Sequence, residues 1–400
     1  MQFWSSFCHT MGCQASRTGD VLGRALTVVS LSLLLGASSC RETSSPSDYL
    51  GPHVAWQVPI NFGNAEFEWG GVPVVADGRF FFAEGPNVTA LDRTTGTRLW
   101  STRVRANLAA VTSKILWHGS KIFFPDAPDV FCLDAATGQI LWRYAPDSQA
   151  VVAESAIDDH AMYIGTRDHK VLALDINDGH PIWTVDVGPG WTELGLVQGI
   201  SLASDTVYVG VTHWIAHNGY LQSAVIVALD RDTGKELWRY QGTGDQNGIV
   251  ATPVVAGNNL IVDDVIFGSV FAVDRFTGKE VWRRSAAPGG YGPKDSPIIL
   301  GDTAFIASAD TYFYALDSRS GQKYWSSVGR GGSFSAGVVC GRYAMGNAQG
   351  IDVVDRNTGK KLSSLLSAVG PERAFPTSHF ATDGKRAFIT GILWAWAIDC

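Results

Sequence analysis

Short runs of alternating apolar and polar residues recur along residues 53–400. Each is broken by a two-residue turn signal: Asp77-Gly78, His118-Gly119, Asp158-Asp159, Ser204-Asp205, Gly257-Asn258, Gly301-Asp302, Cys340-Gly341 and Asp383-Gly384. Period-two alternation around such turns predicts β-hairpins rather than helices. After each hairpin comes one signature. It is read at Ala90-Leu91-Asp92…Gly96…Trp100, Cys132-Leu133-Asp134…Gly138…Trp142, Ala173-Leu174-Asp175…Gly179…Trp183 and Ala228-Leu229-Asp230…Gly234…Trp238. Two more full copies end on Trp282 and Trp325, a seventh has Ser363 in place of the tryptophan, and Ala397-Ile398-Asp399 closes the chain. The aspartates lie 42, 41, 55, 44, 43, 38 and 44 residues apart, a spacing that fits one four-stranded propeller blade per copy.

Eight anchors and eight turns predict an all-β, eight-bladed β-propeller of four-stranded antiparallel blades. The last anchor ends the chain, so the segment His53–Pro59, with Trp56, is expected to supply the missing outer strand and close the ring. Within each repeat the Asp is expected to accept backbone N–H bonds in a turn. The Gly four residues on supplies a positive φ there, and the Trp eight residues on wedges against the neighbouring blade. Trp56, Trp100, Trp142, Trp183, Trp238, Trp282 and Trp325 are thus read as structural docking residues.

Composition supports this picture: 46% of residues are hydrophobic, enough for a large core, and 44 Gly with 14 Trp suit many tight turns and wedged aromatics. The N-terminus differs. Arg17 and Arg24 precede an apolar run, Ala25–Leu35, that at 11 residues is too short to span a bilayer core, which needs about 20. Small residues and Cys40 follow, the layout of a secretory signal. Residues 1–39 are therefore expected to be a lipoprotein-type signal peptide, 40–52 a tether and 53–400 the propeller, with translation starting at Met1 or Met11. The chain is acidic, net charge −7, and becomes more so without Arg17, Arg24 and Asp20, which disfavours a nucleic-acid partner. The remaining thiols, Cys132, Cys340 and Cys400, have neither zinc-knuckle nor haem-attachment spacing, and whether Cys340 pairs with Cys400 stays open.

The element Asp-x-x-Thr-Gly-Lys-x-x-Trp, at Asp230–Trp238 and Asp274–Trp282, resembles the tryptophan-docking repeat of the PQQ quinoproteins. Ala37-Ser38-Ser39-Cys40 likewise resembles a bacterial lipobox, which implies a lipid on Cys40. Two branches share the repeat: PQQ-dependent dehydrogenases, and non-enzymatic lipoproteins similar to the outer-membrane assembly factor BamB, which help a β-barrel insertase. The first branch implies a vicinal Cys-Cys disulfide over the cofactor and a Ca²⁺ site. No adjacent cysteines occur here, nor C-x-x-C-H, G-x-x-x-x-G-K-[ST] or G-x-S-x-G. No catalytic, cofactor-binding or metal residues are therefore assigned, although Glu68, Glu154, Glu193 and Asp295 are placed to converge near a central channel.

His213 and His217 have metal-ligand spacing without the general-base Glu, inside a longer insertion, Thr212–Ser223, expected to be a hairpin loop. Connections between blades carry exposed-type aromatics and arginines that suit protein contact. The candidates are Trp191, Tyr291, Arg330 and Arg373, together with Leu194 and Leu196. These leucines match the Leu-x-Leu element that BamB-like proteins use on the connection from blade three to blade four; the arginine that follows it there is Val197 here. The expectation is a lipid-anchored, non-enzymatic scaffold on the periplasmic side of the bacterial outer membrane. It is monomeric outside its complex, binds no cofactor and contacts envelope proteins, among them a β-barrel insertase. The alternatives are a PQQ- and Ca²⁺-dependent oxidoreductase and an envelope ligand or carbohydrate sensor.

Overall fold

The computed structural model describes residues 54–60, 72–105, 114–126, 128–146, 154–189, 195–214, 222–242, 252–264, 269–285, 296–307, 312–328, 333–339, 342–347, 350–365, 376–391 and 394–399. The signal segment 1–39, Cys40 and the tether 40–52 lie outside them. Every described element is a strand, and the strands form eight four-stranded antiparallel sheets. Seven are continuous in sequence, spanning residues 74–103, 116–144, 156–186, 195–241, 254–285, 298–328 and 333–365, and are called here the first to seventh blades. The eighth combines Pro376–Thr382, Arg386–Gly391 and Trp394–Asp399 with Val54–Pro59, the strand expected to close the ring. Successive blades touch, and Val74–Ala76 of the first meets Pro376–Thr382 of the eighth, so among the described blades each has a neighbour on both sides. The fold is a β-propeller of four-stranded antiparallel blades.

The repeat signature explains how the blades are joined. In each turn the Asp carboxylate gathers N–H groups; Asp274 Oδ1 accepts from the Phe276 and Thr277 amides at 3.1 and 2.9 Å and from the Thr277 hydroxyl at 2.8 Å. The glycine four residues later sits at φ +69 to +76° in seven blades. It also lies flat against the tryptophan of the preceding blade: a Cβ on Gly96 would fall 2.7 Å from the Trp56 ring, and the other six docks overlap likewise. The indole N–H completes the dock by donating to the carbonyl of the residue after the Asp. Trp56 reaches Arg93, Trp100 reaches Ala135, and the series ends with Trp325 on Arg356, all at 2.9–3.2 Å. Only glycine satisfies both demands, a left-handed backbone and an indole face at van der Waals distance. Each dock removes roughly 200 Å² of aromatic surface from water, an upper bound of about 5 kcal/mol at 25 cal/mol per Å².

The core consists of sandwiches between neighbouring blades. Trp56, Phe80, Phe82, Leu91 and Phe388 close the ring where the eighth blade meets the first. A hydrogen bond and an ion pair reinforce the same seam: Arg386 donates to the Arg93 carbonyl at 3.1 Å, and the Arg93 guanidinium lies 3.6 Å from the Asp383 carboxylate. Cys132 is a buried free thiol inside the second blade, and burial pushes its pKa up to about 12. It is inert packing. Cys340 and Cys400 lie outside the described residues.

The fourth blade differs from the expectation drawn for its insertion. Strands Thr206–Trp214 and Gln222–Asp230 pair through Thr212↔Ala224, His213↔Ser223 and Trp214↔Gln222. The additional residues therefore lengthen a hairpin, and 212–214 and 222–223 are sheet rather than loop. Two β-rich stretches flanking a short break gain more by continuing the ladder than by leaving backbone groups unpaired. His217 lies outside the described residues, and among those described no group of three His, Cys, Asp or Glu could hold a metal ion.

Candidate functional site: the channel and the third-to-fourth blade junction

The innermost strands surround a cavity of 510 Å³, lined among others by Leu116, Ala156, Ile200, Val254, Ile298 and Phe380, from six different blades. Among the described residues one acidic side chain enters it. Glu154 precedes the third blade, and its backbone runs parallel to the innermost strand of the fourth. Its amide donates to the Gln198 carbonyl at 3.1 Å, and the Ile200 amide donates to its carbonyl at 2.9 Å. From there Glu154 Oε2 accepts the hydroxyls of Thr252 at 2.5 Å and Ser296 at 2.9 Å, at the entries to the fifth and sixth blades. The carboxylate thus ties together segments 98 and 142 residues away. Gly199 makes room for this: a Cβ there would fall on Thr252 Oγ1 and within 2.7 Å of its Cα.

Of the four carboxylates expected near the channel, the structure places Glu154 there, while Glu68, Glu193 and Asp295 lie outside the described residues. Thr252 and Ser296 were not expected. A signal existed, since Thr252-Pro253 and Ser296-Pro297 both stand immediately before an innermost strand, where a proline is tolerated and a hydroxyl faces the axis.

The donor set of the described lining can be compared with what a quinone–Ca²⁺ pair needs. A Ca²⁺ ion takes 6–8 oxygen ligands, several of them charged, and the quinoprotein pattern adds a vicinal disulfide. Among the described lining residues there is one carboxylate, engaged by two hydroxyls of the protein, and Lys114 stands on the same wall. These residues do not fit a quinone–Ca²⁺ pair. Nor does the described lining bring an imidazole or thiol to Ser296 to activate it as a nucleophile. Geometrically the arrangement is a lock between blades.

The junction carrying the Leu-x-Leu element is held firmly on both sides. His169 Nδ1 lies 2.7 Å from the Asp186 carboxylate, which also accepts the Gly188 amide at 2.8 Å. Arg239 of the fourth blade donates to the Val187 carbonyl at 2.8 Å, and Val187 is buried. Strand Gly195–Ala203 follows, with Leu196 half-buried and paired to Thr212, and Val197 fully buried. Leu196 is therefore a strand residue, not a loop residue as the sequence suggested. Alternation Leu-Gly-Leu-Val against the long neighbouring strand extends the ladder to Gly195. Trp191, Leu194, Tyr291, Arg330 and Arg373 lie outside the described residues. The docking tryptophans sit where the repeat places them, on outer strands against the next blade.

Comparison with known proteins agrees with this geometry. Over 87% of this chain the fold superposes on 99% of BamB from Moraxella catarrhalis, with TM-score 0.63 at 16% identity. The computationally designed protein Ika8 superposes over 87% of this chain and all of its own, with TM-score 0.67 at 14% identity. The quinohemoprotein alcohol dehydrogenase of Comamonas testosteroni gives TM-score 0.64 at 16% identity, over 86% of this chain and 76% of its own. At these identities the likeness concerns the fold. No curated protein matches the sequence. The profile of one family, described as outer membrane protein assembly factor BamB, matches residues 51–114, 84–216 and 222–371. With most of the propeller covered by that profile, the chain belongs to the BamB family.

Proposed function

We propose that this protein is a non-enzymatic scaffold, anchored by a lipid on Cys40 to the periplasmic face of the outer membrane, that holds envelope proteins during β-barrel assembly. The family match along the propeller carries this reading. Two observations support it. The axial carboxylate is engaged by the protein's own hydroxyls, and the junction bearing Leu196 is braced from both blades, as suits a rigid contact platform. Among the described residues no helix is long and apolar enough to cross a membrane; the lipobox-like Ala37-Ser38-Ser39-Cys40 supports the anchor at Cys40.

Capture of the native lipoprotein from solubilised membranes is the direct test, with a β-barrel insertase expected among co-purifying proteins. Cys40→Ser should move the chain to the soluble periplasmic fraction. Leu194→Ala with Leu196→Ala should weaken capture by roughly 1–3 kcal/mol; because Leu196 is a paired strand residue, melting must be recorded alongside. Substrate-dependent reduction of an artificial acceptor by the purified protein given PQQ, Ca²⁺ and an alcohol would overturn the scaffold assignment.

A further inference from the structure

Repetition makes departures visible, and the sixth blade departs at one place. In the fourth and fifth blades the residue two before the docking tryptophan is Glu and the residue after it is Arg, and the two pair. Arg239 meets Glu236 at 2.6 Å and Arg283 meets Glu280 at 2.8 Å. In the fifth blade that arginine also lies over the Phe271 ring, 4.1 Å from its centroid, and in the second blade Arg143 covers Phe131 at 5.7 Å while paired to Asp129. An aromatic ring three residues before the signature Asp is thus covered by a guanidinium whose charge is balanced within the blade.

The sixth blade keeps the aromatic, Tyr314, but replaces the arginine by Ser326 and the glutamate by Lys323. The seam towards the fifth blade opens there into a cavity of 580 Å³ lined by Ile306, Tyr312, Tyr314, Lys323, Ser326 and, from the fifth blade, Arg284. At the seam before it, Tyr240 fills the place of Arg284, against Phe271 at 5.6 Å between centroids. Tyr312 and Tyr314 project from one face of the same strand with centroids 6.2 Å apart, and Tyr312 is 39% exposed. The Arg284 guanidinium is steadied by the Gly321 and Ser320 carbonyls at 3.3 and 3.5 Å. Neither Arg284 nor Lys323 forms an ion pair among the described residues. Lys323 Nζ reaches over the edge of the site, 6.0 Å from the Tyr314 centroid, so the site offers two tyrosine rings between two walls and, at its rim, two cations without an ion-pair partner among the described residues.

We propose that this interblade cleft binds an acidic sugar of the uronic acid type. The pyranose C–H face lies on Tyr312 and Tyr314, the carboxylate meets Arg284 and Lys323, and Ser326 and Gln322 serve the hydroxyls. A simple anion would leave the tyrosine face unused, and a neutral sugar would leave both cations unanswered. The cleft lies on the flank of the ring and makes no use of the axial channel.

The test uses the full-length mature protein and a glucuronic-acid-containing disaccharide, followed by saturation-transfer NMR of the sugar protons and by calorimetry. Saturable binding is expected, with ring C–H protons most strongly saturated. Arg284→Gln or Tyr314→Leu should each weaken it about tenfold or more. The double substitution Lys323→Glu with Ser326→Arg rebuilds the cover of the fifth blade and should abolish binding while the melting temperature stays within a few degrees. No binding by the wild type, equal binding of the neutral glucose disaccharide, displacement by inorganic phosphate at equal affinity, preference for an acidic peptide, or unchanged binding by the folded double variant would each overturn the proposal.

Discussion

Seven of the blade junctions carry a tryptophan dock, and the junction between the seventh and eighth blades does not. The difference has a single origin. A dock needs two halves, a tryptophan on one blade and an Asp…Gly turn on the next. Among the described residues the eighth blade has no such turn, and its signature Asp399 accepts from Arg386 Nε at 2.5 Å. With no glycine to receive it, a tryptophan on the seventh blade would have no seat, and the sequence has Ser363 there. The two blades meet through their inner strands instead. Gly337 approaches Phe380 so closely that a Cβ would lie 2.6 Å from its ring. At the other end of the eighth blade, Trp56 brings its dock from the N-terminal strand and seats on Gly96. The dock is thus a property of pairs of repeats.

The largest effect should come from removing the dock that seals the ring. Deletion of residues 51–60 takes away Trp56, the strand Val54–Pro59 with its pairing to Trp394–Asp399, and the cover over Phe80 and Phe388. A loss of about 5 kcal/mol or more is expected, read as a large fall in melting temperature or denaturant midpoint. An unchanged midpoint would mean that closure does not depend on this strand.

Next in size is a pair of glycine substitutions that separates the two demands of the dock. Gly278 combines φ +69° with the Trp238 ring against its Cα, whereas Gly301 has φ +58° and open space around it. Gly301→Ala should cost about 1 kcal/mol for backbone strain alone. Gly278→Ala must also displace an indole from its hydrogen bond to Arg275 and should cost about 3 kcal/mol. Equal costs would show that the stacked contact contributes nothing beyond the turn.

What the sequence revealed and what it hid divide along this same line. The Asp, Gly and Trp of each repeat act over eight residues of chain and one repeat of space, so their offsets survive intact in the one-dimensional pattern, and the closing role of Trp56 followed from counting unfinished repeats. The Glu154 lock joins residues from three blades and recurs nowhere, so nothing periodic announces it. Glu154 was one acidic residue among four candidates, and Thr252 and Ser296 passed unnoticed beside their prolines. Strand ends were misjudged at Thr212–Ser223 and Leu196 because neighbouring strands of nine residues let pairing run past the usual blade length. The seam at Tyr314 differs from its counterparts by side chains whose one-dimensional spacing is unchanged, so the repeat pattern does not mark it.

A smaller effect tests whether half a dock is worthless. Ser363→Trp restores the tryptophan of the seventh blade without supplying a receiving glycine, so stability should change by less than about 0.5 kcal/mol. A gain comparable to the loss on Trp325→Ala would mean that the aromatic packs productively without its partner turn.

The smallest effect concerns acid. In six of the turns, at Asp92, Asp134, Asp230, Asp274, Asp317 and Asp355, the carboxylate accepts N–H and O–H groups from its own loop, which favours its charged form. At Asp317 the Tyr324 hydroxyl at 2.6 Å adds to the bonds from Arg319 and Ser320 and brings the pKa down from 3.8 to about 2. Asp92 and Asp274 are also lowered, chiefly by bonds from Thr95 and Thr277. A carboxylate whose pKa is lower in the folded chain than in the unfolded one stabilises the fold fully above the unfolded value. That contribution fades as pH falls from about 4 towards 2. Melting temperature should therefore decline across that interval. Tyr324→Phe removes the first-ranking cause at Asp317, so its destabilisation relative to wild type should be present at neutral pH and shrink as both proteins approach pH 2. A constant difference down to pH 2 would show that Tyr324 acts by packing alone, and would leave the dock glycines and tryptophans, not the turn carboxylates, as what distinguishes the seven junctions from the eighth.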